Sequence, residues 1–269
     1  MPLYIQTQFH PIPSTSSACI NSTNPKMATN TLEVKLSQMR EHVKMLESSA
    51  EKYGDPTLER FLIEKSMDPN KAAKMFVAWV KWRDTFAPLG FIPESEVIDE
   101  LNPKKVFLQG LSKSGHPVVI LYASKHYPAK DNNQFKKFIV HMLDKAIASG
   151  IKGKEIGNEK VVVIMDMNQL AYKNVDTHGF ISAFQILQAY YPGQLAKLYM
   201  LNMPWFFTSF WKIISRVLEK STSEKIVMVT NDKGRKQLIE EVGKEVLPQE
   251  FGGNAKLVPL QDVQLPMST

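Results

Sequence analysis

Residues 161–167, Val-Val-Val-Ile-Met-Asp-Met, place apolar side chains on both alternating faces of an extended chain. A strand of this kind must be covered on both sides, a condition met by parallel sheets flanked by helices rather than by a sheet with one wet face. The segments around it fit that demand. Val106–Leu108 and Val118–Tyr122 are strand candidates joined across Lys113-Ser114-Gly115-His116-Pro117, which has turn chemistry. Phe135, Phe138, Ile139, Met142, Leu143, Ala146 and Ile147 then recur at helical spacing, with Gly150 and Gly153 as stops. After the strand at 161–167 come a helix over 176–191, a strand over Lys197–Leu201, a helix over 204–219, a strand over Ile226–Val229 and a last helix over Lys233–Val242. Long crossovers between strands predict an α/β fold with a mixed, largely parallel sheet.

Upstream the chain reads as helical. Periodicity runs from Leu32 to Leu46; a short helix over Pro56–Lys65 has Asp55 as its cap; Asn70 caps a third, carrying Ala73, Phe76, Val77 and Val80, which Pro88 and Gly90 stop. Residues 1–30 differ, being rich in Ser, Thr, Pro and Asn with Lys26 as the sole charge. They read as a disordered lead-in or an arginine-free targeting peptide, with Met27 as a second possible start. The formal charge of +6 favours anionic surfaces. A nucleic-acid footprint would come with a reading motif or a dense basic helix, and neither is present. Cys19 is the only cysteine, which excludes disulfide scaffolds and cysteine-based zinc sites. No apolar run approaches the roughly 20 residues that span a bilayer, so membrane contact is expected to be peripheral.

The segment 204–219 carries the functional signal. Phe206, Phe210, Ile213 and Val217 form one helical stripe; Phe207, Trp211, Ile214 and Leu218 form the stripe beside it. Such a face belongs either to a core helix or to a lid over an apolar cavity, whose aromatic residues can also enter a membrane interface.

Tyr190-Tyr191-Pro192, Lys197 to Asn202, the aromatic helix, Lys225-Ile226 opening a strand, and Leu247-Pro248-x-x-Phe251-Gly252-Gly253 follow one another in that order. Upstream stand Asp55-Pro56-Thr57-Leu58-x-Arg60-Phe61-Leu62 and the segment Ala72 to Arg83. From about residue 50 to 255 this resembles the CRAL-TRIO lipid-binding family, in particular its SEC-fourteen-like phosphatidylinositol-transfer branch. The resemblance implies a helical region over 31–90, a lipid-binding domain over 95–255 whose sheet floors an apolar pocket, and a tail over 256–269. It also implies a gate made by Trp205, Phe206, Phe207, Phe210, Trp211 and Ile214. Headgroup contacts carried over from that branch fall on Lys65, Thr222 and Lys225, an ammonium and hydroxyl set suited to phosphate and inositol oxygens. Two departures bear on the ligand. Gly193 stands where the family has a glutamate after Tyr-Pro, and Val161 and Val163 stand where the choline-lipid carriers have hydroxyl residues.

The expected function is therefore binding of a single phospholipid, phosphatidylinositol first, and its transfer or presentation between membranes. The alternatives are carriage of a sterol, tocopherol or terpenoid and, behind it, an α/β hydrolase-like enzyme. Catalysis finds little support. Asp166 ends a strand and reads as a loop-capping acid. His116, His126, His141 and His178 form no metal pattern, and the nucleophile elbow and phosphate-binding glycine motifs are absent. The chain is expected to need no cofactor, to bind no nucleic acid, and to work as a cytoplasmic monomer that touches membranes transiently.

Overall fold

The structure, a computed structural model, describes residues 25–150 and 159–265. The expected lead-in as far as residue 24, the helix stop at Gly153 and residues 266–269 lie outside the described residues.

Three helices come first: α1 (Pro25–Met45), α2 (Asp55–Glu64) and α3 (Pro69–Phe86). Their shared core joins Met39 and Val43 to Leu58, Phe61 and Leu62 and to Phe76 and Val77, edged by Tyr53 and Trp79. Two caps differ from expectation. Asp55 already lies inside the first turn of α2 and accepts a 2.7 Å hydrogen bond from Arg40 Nη2, leaving Gly54 as the N-cap. Asp68, not Asn70, caps α3, accepting from the Lys71 N–H at 3.0 Å. Pro69 fills the first helical position there, so the cap falls on the residue before it.

After the single-turn α4 (Ile98–Leu101) the sheet begins, and the elements follow in the order β1 (Val106–Leu111), β2 (Pro117–Tyr122), α5 (Asn132–Ser149), β3 (Val161–Asp166), α6 (Thr177–Tyr190), β4 (Leu195–Leu201), α7 (Phe207–Ile214), α8 (Lys220–Ser223), β5 (Ile226–Val229) and α9 (Asp232–Val242). The five strands lie in sequence order; β1 is antiparallel to β2 and the remaining pairs are parallel. Crossovers of one hand that step in one direction deposit their helices on one face. Accordingly Val119, Val163 and Leu198 share a core with α5 and α6, while Val118, Ile120, Val162, Ile164 and Tyr199 point the other way, toward Leu238 and Val242 of α9 and the loop carrying Leu247 and Phe251.

The expected helix over 204–219 is shorter than its periodicity. Its first residues form a turn closed by Phe207 N–H donating to Pro204 O at 3.0 Å, and beyond Ile214 the chain tightens into a 3₁₀ turn over Ser215–Val217. The cause lies on α6. The Gln188 side chain donates to Val217 O at 3.1 Å and accepts from Glu219 N–H at 2.7 Å, which takes the chain out of the helical path.

The helical unit is fixed to the sheet unit by a joint. Trp82 stacks on Tyr190 with ring centroids 3.7 Å apart. Beside it, Arg83 donates to both oxygens of Asp144, at 3.1 and 2.6 Å, and Tyr191 OH donates to the same carboxylate at 2.7 Å. This bidentate fork is the strong form of an ion pair. Arg83→Met leaves Asp144 with the Tyr191 hydroxyl but without its cation, and should cost about 2 kcal/mol, the scale of a charged hydrogen bond lost at a half-buried site. Urea unfolding measures this; a loss below about 0.5 kcal/mol, the size seen for exposed pairs, would show the fork to be a solvent-screened contact.

Candidate functional site

Between the sheet and the two helices α5 and α6 lies a cavity of about 140 Å³. Leu121, Val163, Met165, Leu195 and Leu198 form its floor, and Phe138 and Met142 of α5 and Phe180 and Phe184 of α6 form its roof. The crossover topology puts both roof helices over the same strands, and their aromatic bulk holds them off the floor. The wall is almost wholly apolar, and an apolar cavity of this kind stays dry and admits apolar guests.

One end of the cavity is polar. Lys105, buried just before β1, donates to Glu100 and contacts His126 Nδ1 at 2.9 Å. His126 Nε2 lies 3.1 Å from Asp176 Oδ2, and Asp176 also caps α6 through the Gly179 N–H at 2.7 Å. Because the ammonium has no lone pair, Nδ1 accepts from it and Nε2–H donates to Asp176. Burial lowers the Lys105 pKa against the opposing pull of Glu100. Burial, followed by the neighbouring Lys105 charge, lowers that of His126. Asn174 completes this end, donating to Ser124 O and His126 O.

The residues expected to meet a headgroup gather at the opposite ends of the strands. Thr222 is buried in α8, and Lys225 is half-buried at the start of β5. Lys65 is the half-buried C-cap of α2. Its neighbour Glu64 is 3.4 Å from Ser221 Oγ, which sets the end of α2 against the turn that carries Thr222 and Lys225. Burial lowers the Lys225 pKa, and Lys160 adds to this while Glu64 opposes it. This ammonium is thus partly stripped of water and incompletely neutralised. Gly193 has φ +71°, the left-handed region that glycine takes without cost, and a Cβ there would lie 3.9 Å from the Arg60 stem.

The aromatic segment stands against α6, one layer out from the cavity. Phe207 and Ile214 are fully buried; Phe207 packs on Phe180 at 5.7 Å and Trp211 on Phe184 at 6.4 Å. None of Trp205, Phe206, Phe207, Phe210, Trp211 and Ile214 is among the cavity-lining residues. The other stripe is only partly covered, with Phe206 and Phe210 half-buried at the edge of the core, and the residue ahead of it is open. Trp205 is 82% exposed, Ile213 is exposed, and half-buried Phe206 stacks at 4.3 Å on Tyr172, itself 64% exposed. Lone exposed apolar residues are ordinary, but a contiguous aromatic lip is not.

Asp166 accepts from Asn168 N–H at 3.1 Å and Asn202 Nδ2 at 2.7 Å, and Asn202 in turn accepts from Arg235. It closes the loop after β3. His141 and Asp144, three apart on α5, take different partners: His141 Nδ1 faces Ile92 O at 2.8 Å, and Asp144 holds Arg83. Sequence reasoning passed over Lys105, Glu100 and Asp176. A lysine before a strand reads as solvated, and only the tertiary contact reveals its burial.

Residues 101–253 match the CRAL/TRIO domain family. The chain is 25% identical over 250 residues to the Sec14 cytosolic factor of Schizosaccharomyces pombe, covering 87% of this chain and 86% of that protein. It is 23% identical over 216 residues to the phosphatidylinositol transfer protein CSR1 of Eremothecium gossypii, covering 75% of this chain and 47% of that longer protein. The crystal structure of Sfh5 has a similar fold, with a TM-score of 0.63 over 89% of this chain and 96% of that one at 14% identity.

The polar end of the cavity gives the molecule a pH dependence. His126 has a folded pKa below its ordinary 6.5, so the unfolded chain binds the extra proton more readily. Its contribution to stability is complete above 6.5 and is lost as pH falls through and below that value. His126→Gln keeps an acceptor for Lys105 and a donor for Asp176 without titrating. Its thermal midpoint should fall less than that of the wild type on acidification; parallel curves would mean that His126 protonates in the fold without penalty.

Proposed function

Because the chain belongs to the CRAL/TRIO lipid-binding family, we propose that it takes up one phospholipid molecule, phosphatidylinositol first, and transfers or presents it between membranes. The observation that carries this reading is the apolar cavity between the sheet and helices α5 and α6. Burial is worth about 0.8 kcal/mol per methylene, so exposing one long acyl chain to water costs on the order of 10 kcal/mol. A carrier that offers an equivalent apolar sleeve removes most of that barrier without breaking a bond.

The cavity of about 140 Å³ is of a size that admits a benzene-sized guest, far short of a diacyl lipid. Loading therefore requires the roof to move. The aromatic segment is suited to start that motion: its inner stripe grips α6 through Phe207 and Trp211, and its outer lip of Trp205, Phe206 and Ile213 matches a membrane interface. No helix among the described residues is long and apolar enough to cross a membrane; in this reading the chain is a cytoplasmic monomer that touches membranes transiently. Lys65, Thr222 and Lys225 are the headgroup residues in this reading, since a desolvated ammonium gains from a phosphate set beside it.

A second reading, carriage of a sterol, tocopherol or terpenoid, is favoured by Gly193, which offers no acceptor to a sugar-like headgroup, and by Val161 and Val163 of β3, which offer no hydroxyl to choline. Lipid extraction from the purified chain separates the two: one phosphatidylinositol per chain is expected, and its absence after saturating supply would remove that ligand.

The double substitution Phe206→Asp and Phe210→Asp should lower vesicle-to-vesicle transfer at least tenfold, the effect of burying charge at an apolar interface, with the thermal midpoint little changed. Unaltered transfer would mean that this segment does not open the cavity. Lys225→Ala should weaken binding of anionic phospholipids while sparing neutral lipids; equal loss of both would point to general destabilisation.

A further inference from the structure

We propose that Lys105 is a second ligand anchor, which receives an uncharged oxygen acceptor (a carbonyl, ester or hydroxyl) carried at the buried end of an otherwise apolar lipid. The proposal rests on the reading that the cavity holds an apolar ligand, but not on the identity of its headgroup.

An ammonium has three N–H bonds. On Lys105 one goes to Glu100 and one to His126 Nδ1, while the group sits over the rings of Phe135 and Phe138 and lines the cavity. The other polar side chains on the wall are engaged elsewhere. His126 Nε2–H is held by Asp176, the Asn174 amide by Ser124 O, His126 O and Ala171 N–H, and Tyr122 OH by Glu250. The third Lys105 N–H is therefore the donor that the described wall leaves for a guest. A plain hydrocarbon terminus at this end would leave that donor with the Phe135 and Phe138 rings alone, a weaker partner than an oxygen acceptor.

Charge selects the class of guest. Glu100 and Asp176 supply two buried carboxylates against one ammonium, with His126 neutral. A fatty carboxylate or phosphate would add a further negative charge to a low-dielectric pocket, whereas a neutral oxygen adds none. Position separates this anchor from the proposed headgroup cluster. Lys105 O accepts from Tyr122 N–H at the C-terminal end of β2, while Lys225 opens β5 at the N-terminal ends of the parallel strands. A strand such as β3 sets those two ends roughly 17 Å apart. The cavity can thus take a neutral single-oxygen lipid that enters oxygen first, independently of the cationic site.

The test measures binding to the full chain, by equilibrium dialysis at neutral pH, of a long-chain methyl ketone, the alkane of equal length and the fatty carboxylate of equal length. The ketone should bind about tenfold tighter than the alkane, the fold-change expected for one hydrogen bond from a charged donor. The carboxylate should bind no better than the alkane. Lys105→Met should make ketone and alkane bind alike. Since that change strands Glu100, the paired variant Lys105→Met with Glu100→Gln should show the same loss of preference with Glu100 no longer left as a lone buried charge. Equal binding of ketone and alkane by the wild type, preference for the carboxylate, or a ketone preference that survives in the paired variant would each overturn the anchor. If none of the three probes binds, the cavity reading itself falls, and the anchor with it.

Discussion

A sheet that is apolar on both faces must be roofed twice, and here one roof packs on its floor but leaves a gap over part of it. Sequential strand order sends α5 and α6 to the same face. Phe135, Phe138, Phe180 and Phe184 then fill the contact plane and prop the helices above Val163 and Leu198. An empty space of about 140 Å³ costs on the order of 3 kcal/mol in contacts not made. A chain could remove that cost by placing a longer side chain at the centre of its floor, yet β3 presents Val163 there. The void is consistent with use by a guest, which restores the missing contacts when it binds.

Around that void the polar groups are divided between two ends. At the N-terminal ends of the strands the cations are half-buried and within reach of water, beside the end of α2. At the other end Lys105, Glu100 and Asp176 are buried and interlocked through His126. The first arrangement suits an anion that stays near the surface, and the second suits a neutral group that leaves water entirely. The same chemistry, an ammonium near a carboxylate, is put to different use by its depth. The joint of Trp82, Arg83, Asp144, Tyr190 and Tyr191 holds α2 and α3 against the sheet unit, and with them the Lys65 end of the first site.

Much of the architecture was legible in the residues. The run at 161–167 demanded a two-sided strand, the turn at 113–117 marked the antiparallel hairpin, and the ordered motifs from Tyr190 to Gly253 pointed to the family that residues 101–253 match. Legibility ended where a distant side chain intervened. Periodicity carried the aromatic helix to residue 219, but Gln188, on another helix, bends the chain at Val217. Local chemistry put the cap of α2 on Asp55, whereas Arg40 of α1 claims that carboxylate. Spacing alone does not rank two equally apolar stripes; the fold buries Phe207 and Ile214 of one and leaves Ile213 of the other exposed.

The sequence by itself determined which segments are strands and helices, that the central strand is covered on both faces, and that one segment carries more aromatic surface than a sheet cover requires. Those properties follow from spacing and side-chain type, which are local. Tertiary structure alone decided that the covering is incomplete over Val163, that Lys105 is buried while Lys225 keeps one side toward solvent, and which aromatic stripe is only partly covered. Each of these depends on how far apart two elements stand, and that distance is set by packing between residues remote in the chain.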